Sequence, residues 1–270
     1  MELGEAYKHL KKKSGSFSAN KGIILGSGFG RLIRDIEVEI RIPFSELPGF
    51  PTPTVEGHKG EWIGGYYSGQ SVWVLSGRLH RYEGHDMKLL SFPVRLLSMF
   101  GVRTLIITNA VGSLRKEIPV GSLVSIHDHI NFSFENPLTG PNLDEFGPRF
   151  PDTSAIYNPD LIKRAHGTAT NLGLTMYNGV YAYTIGPMFE TPAEVNMMRS
   201  LGADVVGMSL VPEVLVAGHC GMSVGAFSIV SNLASGLAEE PLSHPEVLDA
   251  MERSSGLVFE FFPQFVNSLV

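Results

Sequence analysis

The feature that most restricts the fold is a regular alternation of short, β-branched apolar runs with longer segments of helical periodicity. Seven runs predict strands, at residues 22–25, 71–75, 103–110, 121–130, 177–186, 204–209 and 222–232. Five segments predict helices, at 88–101, 159–173, 191–202, 212–221 and 244–262. Strands that alternate with helices in this way form layered α/β folds with a parallel or mixed sheet. We therefore expect an α/β fold with a central mixed β-sheet flanked by α-helices.

We expect the whole chain, residues 1–270, to form one domain. This length exceeds the commonest domain size, but a large α/β domain can enclose it around one core. The longest irregular segment, 134–160, is rich in Pro, Gly and Asn and is too long for a simple connection. Loops of this length are usually functional, so it is expected to act as a lid or as an interface arm. The first 22 residues predict a surface helix followed by a loop.

Charge and cysteine content argue against several classes of function. The net charge is −6, and the basic residues are scattered apart from Lys11, Lys12 and Lys13, so the sequence has no basic stripe for nucleic acid. The single Cys220 argues against a disulfide framework and against cysteine-rich zinc sites. No apolar run approaches the roughly 20 residues that span a bilayer. We expect a soluble, cytoplasmic protein that binds neither nucleic acid nor membrane.

A glycine-rich turn follows the first predicted strand. Residues 23–30 read IILGSGFG, with glycines at Gly26, Gly28 and Gly30. A dinucleotide-binding fingerprint needs its third glycine one position later and an acidic residue about 20 positions on, and a P-loop needs a following Gly-Lys-Ser/Thr. The turn instead offers backbone N–H groups and the Ser27 hydroxyl, which suit a small oxyanion. A tight turn with no ligand is the equally weighted alternative.

Two other motifs match known patterns only superficially. Residues 221–225, GMSVG, have the letters of a nucleophile elbow, but that motif needs a strand before the serine and a helix after it. Here the predicted order is reversed. His127 and His129 alternate onto one strand face with no third ligand nearby in the sequence. We interpret both as structural histidines and expect no metal site.

The segment 76–85, SGRLHRYEGH, places several chemically special side chains directly after an apolar strand. These are Arg78, His80, Tyr82 and Glu83. In an extended chain, positions 78, 80 and 82 share one face. A guanidinium, an imidazole and a phenol on one face suit an oxyanion beside a hydroxylated ring. A solvated loop with incidental charges is the alternative.

Small polar residues end several of the predicted strands. In open α/β sheets, ligands bind in the crevice at the carboxyl ends of the strands. One crevice could therefore collect the ends of four strands, at 26–30, 109–110, 208–209 and 232.

Over nearly its whole length the sequence resembles the purine nucleoside phosphorylases of the trimeric class. The resemblance is carried by LGSGFG, PTVEGHKG, GRLHRYEGH, FPVR, TNAVGSL, DHIN, NPLTGPN, GPRFPD, GPMFETPAE, LGADVVGMSLVPEV, HCG and SNLASG. It implies conversion of inosine or guanosine, or their 2′-deoxy forms, with orthophosphate into free purine base and (deoxy)ribose 1-phosphate, in purine salvage. It also implies a homotrimer and a reaction without metal or organic cofactor.

The resemblance further implies a role for each matching residue. The residues implied for phosphate are Ser27, His58, Arg78, His80, Ala110 and Ser209. Those implied for the ribose are Tyr82, Met208, His244 and, from a neighbouring subunit, Phe150. Those implied for the base are Phe189, Glu190, Val206, Gly207 and Asn232. The implied catalytic residues are Asn232, Glu190 and His80.

Some positions depart from the common animal pattern of that family. Leu233 replaces a lysine, which leaves contacts to guanine open, and Met188 replaces a smaller residue and is expected to narrow the purine edge of the pocket. A methylthioadenosine phosphorylase is the nearest alternative, but it would carry Asp in place of Asn232, because an acid can protonate or accept from a 6-aminopurine. A preference for xanthosine and a nucleoside-binding protein without turnover are the remaining alternatives.

Overall fold

A mixed sheet is the centre of the fold. The structure, a computed structural model, describes residues 3–55, 59–237, 250 and 256–269. Its strands within these residues are β1 Lys21–Leu25, β2 Ile36–Pro43, β3 Glu61–Tyr67, β4 Gln70–Ser76, β5 Thr104–Ser113, β6 Leu123–Asn131, β7 Met176–Tyr183, β8 Val205–Gly207 and β9 Ser223–Leu233. Its helices within them are α1 Leu3–Ser14, α2 Met87–Met99, α3 Pro159–Asn171, α4 Pro192–Ser200, α5 Val211–His219 and α6 Gly256–Asn267.

The strands follow the order β2-β3-β4-β1-β5-β8-β7-β6-β9, and β9 also pairs with β5. Strand β5 is long enough to serve three neighbours. It is parallel to β9 along most of its length and to β1 over 104–107, and it is antiparallel to β8 at its end, where Gly112 pairs with Val206. Strands β5, β8, β7, β6 and β9 therefore close into a ring, and β1, β4, β3 and β2 extend from it as an open sheet.

Helices bury both faces of this sheet. In β1, Ile24 packs into a cluster with α1, α2 and α5, whereas Ile23 and Leu25 pack into a second cluster with α3 and α6. Successive side chains of a strand point to opposite faces, so a strand covered on both sides needs a continuous apolar run. The predicted α/β class, a mixed sheet flanked by helices, is confirmed.

The helix starts follow local capping rules. At α4, Thr191 Oγ1 accepts from the backbone N–H of Glu194 at 3.3 Å, and Glu194 Oε2 accepts from the N–H of Thr191 at 2.8 Å. This reciprocal pair satisfies two donors that the first helical turn would otherwise leave open, and Pro192 takes the first helical position. The predicted start of this helix is confirmed.

Among the described residues, no helix is long and apolar enough to cross a lipid bilayer.

An aromatic cluster anchors the glycine-rich turn to the rest of the fold. Phe29, within that turn between Gly28 and Gly30, is fully buried, and its ring centroid lies 5.4 Å from that of Phe262 in α6. Phe227 of β9 contacts the same helix, with a centroid distance of 5.0 Å to Phe265. Buried aromatic pairs of this kind each add roughly 0.5–1.5 kcal/mol beyond their area. The turn is therefore held in place from below.

Two strands were not predicted, and some predicted boundaries were wrong. Strands β2 and β3 lie at the open end of the sheet, where β2 alternates exposed charged residues with apolar ones and β3 contains Gly64 and Gly65. The strand predicted at 204–209 is shorter, and the one at 177–186 ends at Tyr183. The helix predicted at 244–262 lies largely outside the described residues, and its described end belongs to α6.

Candidate active site

A cavity of about 360 Å³ lies at the carboxyl ends of β1, β4, β5, β8 and β9. This volume falls in the usual range for a small-molecule site. From the predicted phosphate set, its wall contains Ser27, Arg78, His80, Ala110 and Ser209. From the predicted ribose and base sets, it contains Tyr82, Met208, Phe189, Glu190, Val206, Gly207 and Asn232. The expected convergence of strand ends into one crevice is confirmed in its geometry.

Among the predicted site residues that the structure describes, Phe150 does not line this cavity. Phe150 is 88 % exposed and lines a separate cavity of about 320 Å³ beneath the long irregular segment. His58 and His244 lie outside the described residues. Their predicted roles stay predictions.

The glycine-rich turn approaches the rest of the site closely. A Cβ on Gly26 would lie 2.5 Å from the carbonyl oxygen of Thr108 and 2.9 Å from Arg78 Nη1, so a side chain is sterically excluded there. Gly28 has φ +80°, in the left-handed region that favours glycine. The Gly26 N–H donates to Thr108 Oγ1 at 3.3 Å, which ties the turn to β5. These constraints bring Ser27 to the cavity wall.

The Arg78 guanidinium is held by two residues that are distant from it in the sequence, Ser209 and Glu213. Its Nη1 donates to Ser209 Oγ at 3.2 Å, and its Nε forms an ion pair with Glu213 Oε1 at 2.9 Å. The side chains of Arg78 and Glu213 are only 4 % and 6 % exposed. A buried, oriented guanidinium is well suited to bind an oxyanion, since its donors match two oxygens at once.

Glu83 fixes His80 from behind. One carboxylate oxygen accepts from the His80 N–H at 2.7 Å and lies 3.1 Å from its Nδ1, and the other accepts from the N–H and hydroxyl of Thr54 at 2.7 and 2.6 Å. Burial raises the pKa of Glu83, but these bonds from His80 and Thr54 outweigh it and lower the pKa to about 2. Burial lowers the pKa of His80, opposed by Glu83. The pair is therefore a carboxylate and a neutral imidazole near neutral pH.

Tyr82 reaches the cavity differently from the way its spacing predicted. The chain does not stay extended, because residues Arg81–Glu83 form one turn of 3₁₀ helix. Tyr82 lies against His80 instead, with ring centroids 4.8 Å apart and planes 12° apart. Burial, with a smaller effect of Glu83, raises the pKa of Tyr82 to about 12, so its hydroxyl stays protonated. The phenol and imidazole thus form one stacked wall of the site.

A buried polar network supports Ser209, and the sequence did not predict it. Tyr181 Oη accepts from the Ser209 N–H at 3.2 Å and from Asn109 Nδ2 at 3.3 Å, and Asn109 Oδ1 accepts from Ser228 Oγ at 2.6 Å. Burial raises the pKa of Tyr181 above its usual value. Networks of this kind restrict side chains to one arrangement when their members are satisfied.

Ser231 orients the Asn232 amide. Its hydroxyl lies 2.8 Å from Asn232 Oδ1, while Asn232 Nδ2 donates to the carbonyl oxygen of Leu233 at 3.1 Å. An amide nitrogen carries two N–H donors, so one remains for a ligand. A Cβ on Gly112 would approach Asn232 Nδ2 to 3.1 Å, which explains the glycine beside it.

Glu190 occupies the same end of the cavity. Its Oε1 accepts from Thr184 Oγ1 at 2.9 Å, an interaction that no sequence spacing suggested. Burial raises the pKa of Glu190, and the bond from Thr184 partly offsets this rise. Met188 was expected to narrow the purine edge, but it is 81 % exposed and does not line the cavity. An amide donor and a carboxylate acceptor therefore face one ligand space.

Two residues of the superficially matching motifs, His129 and Ser223, have hydrogen-bond partners elsewhere in the fold. His129 Nδ1 lies 2.9 Å from the hydroxyl of Tyr157, and burial lowers the pKa of that histidine. Ser223 Oγ accepts from Asn158 Nδ2 at 3.2 Å at the start of β9. Within the described part of the chain, no group of three or more His, Cys, Asp or Glu residues is placed to hold a metal ion.

Comparison with known proteins finds relatives of this chain over nearly its full length. The family model of the phosphorylase superfamily matches residues 20–267. The purine nucleoside phosphorylase 1 of Geobacillus stearothermophilus is 45 % identical over 268 residues, covering 99 % of this chain and 96 % of that protein. The Schistosoma purine nucleoside phosphorylase is 36 % identical in two solved structures that each cover 99 % of this chain. One, in complex with hypoxanthine, has a TM-score of 0.93 and is covered to 97 %. The other, with inosine, has a TM-score of 0.92 and is covered to 96 %.

The family model and the relatives agree over nearly the full length of the chain, and the cavity lies at the strand ends that the shared fold brings together. The chain is therefore a member of the phosphorylase superfamily and, within it, of the purine nucleoside phosphorylases.

Proposed function

We propose that the protein catalyses the reversible phosphorolysis of inosine and guanosine, and of their 2′-deoxy forms, to free purine base and (deoxy)ribose 1-phosphate, as an enzyme of purine salvage. One observation carries the proposal: two groups of residues line the same cavity. The first is the set of donors around Arg78, and the second is the amide–carboxylate pair of Asn232 and Glu190. The first group suits orthophosphate, and the second matches the hydrogen-bonding edge of a 6-oxopurine.

The phosphate end of the site is built from Ser27, Arg78, His80 and Ser209, with the backbone N–H of Ala110 beside them. The ionised Glu83 can only accept, so His80 Nδ1 carries the proton that faces it. Its Nε2 is then an acceptor, able to receive the O–H of a monoprotonated phosphate. His80 thus favours one protonation state and one orientation of the nucleophile.

The chemical step breaks the bond between C1′ and the purine nitrogen and forms a bond between C1′ and a phosphate oxygen. The electron pair of the broken bond passes to the purine, while C1′ gains oxocarbenium character. The purine anion takes up one proton to become the free base, which balances the proton that the phosphate gives up through solvent. Asn232 donates a hydrogen bond that strengthens as negative charge grows on N7 and O6 of the purine. Interactions that strengthen only in the transition state are those that lower the barrier. Phosphate acts as both nucleophile and electrostatic partner of the sugar cation.

The base end of the site selects the substrate. Glu190 accepts from N1–H of a 6-oxopurine, with Thr184 holding its second oxygen, and Phe189 packs against the ring beside Val206 and Gly207. A 6-aminopurine has no N1–H to offer and would direct its amino donors at the Asn232 amide. Tyr82 and the Met208 backbone are assigned to the ribose hydroxyls. No metal or organic cofactor enters this scheme, because orthophosphate is the second substrate.

The active assembly in this proposal is a cytoplasmic homotrimer in which each chain forms one phosphorylase domain over residues 1–270. Phe150 is 88 % exposed, which leaves its side chain accessible to a neighbouring subunit. Phe150 is assigned to the sugar site of the neighbouring subunit, and His58 and His244 to the phosphate and the 5′ hydroxyl. Sedimentation of the wild-type protein and of Phe150→Ala tests the assembly. The inosine KM of Phe150→Ala tests the assignment of Phe150 to the sugar site.

A substrate panel tests the function directly. Inosine, guanosine, xanthosine, adenosine and methylthioadenosine are incubated with the protein, each with and without orthophosphate, and the free base and sugar phosphate are measured. We expect hypoxanthine and guanine to form only with phosphate. Base release without phosphate would indicate a hydrolase, and binding without release would indicate a nucleoside-binding protein. Preference for methylthioadenosine or xanthosine would replace the proposed substrate.

A further inference from the structure

Glu213 is a buried carboxylate to which the sequence assigned no role. It lies in the first turn of α5 and is 5 % exposed. The apolar side chains of Phe50, Leu90 and Val94 line a small cavity beside it. Removing a carboxylate from water in such surroundings is strongly unfavourable unless a cation compensates for it. Its ion pair with Arg78 Nε, at 2.9 Å, supplies that cation.

The chain segment 209–213 contacts the Arg78 guanidinium at two of its nitrogen atoms. Ser209 Oγ accepts from Arg78 Nη1 at 3.2 Å, and Glu213 pairs with Nε. Between them, Leu210 has φ +73°, in the left-handed region that an ordinary residue rarely adopts. The Val211 N–H closes this tight turn by donating to the Ser209 carbonyl oxygen at 2.9 Å. The turn therefore delivers both contacts to one side chain.

We propose that Glu213 is a positioning residue that aims the Arg78 guanidinium at the phosphate end of the cavity. This inference rests on the proposed function, in which Arg78 binds orthophosphate. A planar guanidinium that is hydrogen-bonded through Nη1 and lies against a carboxylate at Nε has little rotational freedom left to lose when it binds the anion. The negative charge of Glu213 also balances Arg78 while the site is empty, which allows a buried cation to remain in an apolar wall.

The test measures steady-state kinetics of Glu213→Ala, Glu213→Asp and Glu213→Gln. Loss of the anchor in Glu213→Ala is expected to raise the KM for phosphate at least about tenfold and to leave the KM for inosine unchanged, because small misplacements of a binding group carry large penalties. Glu213→Asp retains the charge but withdraws it, and it is expected to show the same split to a smaller degree. Glu213→Gln retains an oxygen acceptor but not the charge, so it is expected to keep most of the phosphate affinity and to lower the melting temperature, because Arg78 then lacks a compensating charge.

Val214→Ala is the matched control, because Val214 is the next residue of α5, is fully buried and is not part of the site. It lowers the melting temperature without a selective change in the phosphate KM. An unchanged phosphate KM in folded Glu213→Ala, or in Glu213→Asp if the alanine variant does not fold, overturns the inference. So does a parallel rise in both KM values. The same assay tests the proposed function separately. That function requires that the wild type release hypoxanthine from inosine only with phosphate, and that Arg78→Gln lose this phosphate-dependent activity.

Discussion

Glu83 accepts from the His80 backbone N–H and faces its imidazole Nδ1 with the same carboxylate oxygen, at 2.7 and 3.1 Å. The other oxygen is occupied by Thr54, so both oxygens of the carboxylate are engaged. Because these bonds outweigh burial and lower the pKa of Glu83 to about 2, the carboxylate stays ionised at any pH at which the protein is assayed. It therefore keeps the Nδ1 proton in place and leaves Nε2 as an acceptor.

Glu83→Gln is expected to weaken phosphate use more than nucleoside use. A glutamine amide cannot accept at both positions, so a donor from His80 or Thr54 loses its partner. A buried donor without a partner costs about 1–3 kcal/mol, so kcat/KM for phosphate is expected to fall roughly tenfold to 100-fold. Glu61→Gln, which removes a partly exposed partner of Arg41, is the control and leaves kinetics unchanged. Equal kinetics for the two variants would contradict the role of Glu83.

Two glycines of the same turn are expected to respond differently to alanine. Gly26→Ala places a methyl group 2.5 Å from the Thr108 carbonyl oxygen and 2.9 Å from Arg78 Nη1, whereas an added Cβ on Gly30 meets nothing within 4 Å. Overpacking against backbone typically costs about 1–3 kcal/mol. Gly26→Ala is expected to lower the melting temperature and raise the phosphate KM, and Gly30→Ala to change neither. A similar response of both variants would show that the close approach at Gly26 is unimportant.

Thr184→Val removes a hydroxyl group and leaves the side-chain shape nearly unchanged. Glu190 then loses one of the two hydrogen bonds that offset burial, so its pKa rises further and its orientation is less restricted. Hydrogen bonds to a charged group are worth about 1.5–3 kcal/mol, so the inosine KM is expected to rise at least tenfold. The phosphate KM stays unchanged. Thr184→Ser keeps the hydroxyl and is expected to behave like the wild type, and a loss in both variants would indicate a packing effect.

Asn232→Asp is expected to change the choice of base. A carboxylate repels O6 of a 6-oxopurine but accepts from a 6-amino group. Turnover of inosine is therefore expected to fall by about 10²–10³, as is typical when one oriented donor to developing charge is lost. The ratio of adenosine to inosine turnover rises. Asn232→Ala is the control, since it removes the donor without supplying an acceptor and lowers turnover with no gain in that ratio. A constant ratio in Asn232→Asp would contradict the assigned orientation of the base.

Local sequence was informative where the position of a residue depends only on the strand that carries it. Continuous apolar runs predicted β1 and β5, because strands covered on both faces need them, and small polar residues at strand ends predicted that Ser27 and Asn232 meet in one crevice. Strand β2 was missed because it lacks a continuous apolar run: charged residues separate its apolar ones at an open edge, where even Val38 is exposed.

The supporting contacts were not predictable, because their partners are far apart in the chain. Thr54 and Glu83 are 29 residues apart, and Asn109 and Tyr181 are 72 apart. Arg78 meets Ser209 across 131 residues. Such pairs leave no periodic signal, since their meeting depends on the order of strands in the sheet. Only the spacing of His80 and Glu83, which matches a helical cap, could have indicated their contact.

Two buried histidines, His80 and His219, and the half-buried His129 predict how stability depends on pH. Burial is the main cause that lowers the pKa values of His80, His129 and His219. Below about pH 6.5 the unfolded chain therefore binds more protons than the folded chain. The free energy of unfolding that these groups contribute is fully present above the unfolded pKa of about 6.5 and declines as the pH falls below it. Glu190, whose pKa burial raises, opposes part of this decline. Each histidine contributes at most about 1.4 kcal/mol per pH unit.

His129→Gln isolates one of these contributions, because His129 contacts Tyr157 and does not line the cavity. The variant loses the group whose protonation is disfavoured in the folded state. Its free energy of unfolding is therefore expected to fall less steeply than that of the wild type between about pH 6.5 and pH 5. Urea unfolding at a fixed protein concentration measures both slopes, and the fixed concentration is needed because subunit association adds to apparent stability. Parallel curves for the two proteins would mean that His129 titrates alike in the folded and unfolded chains.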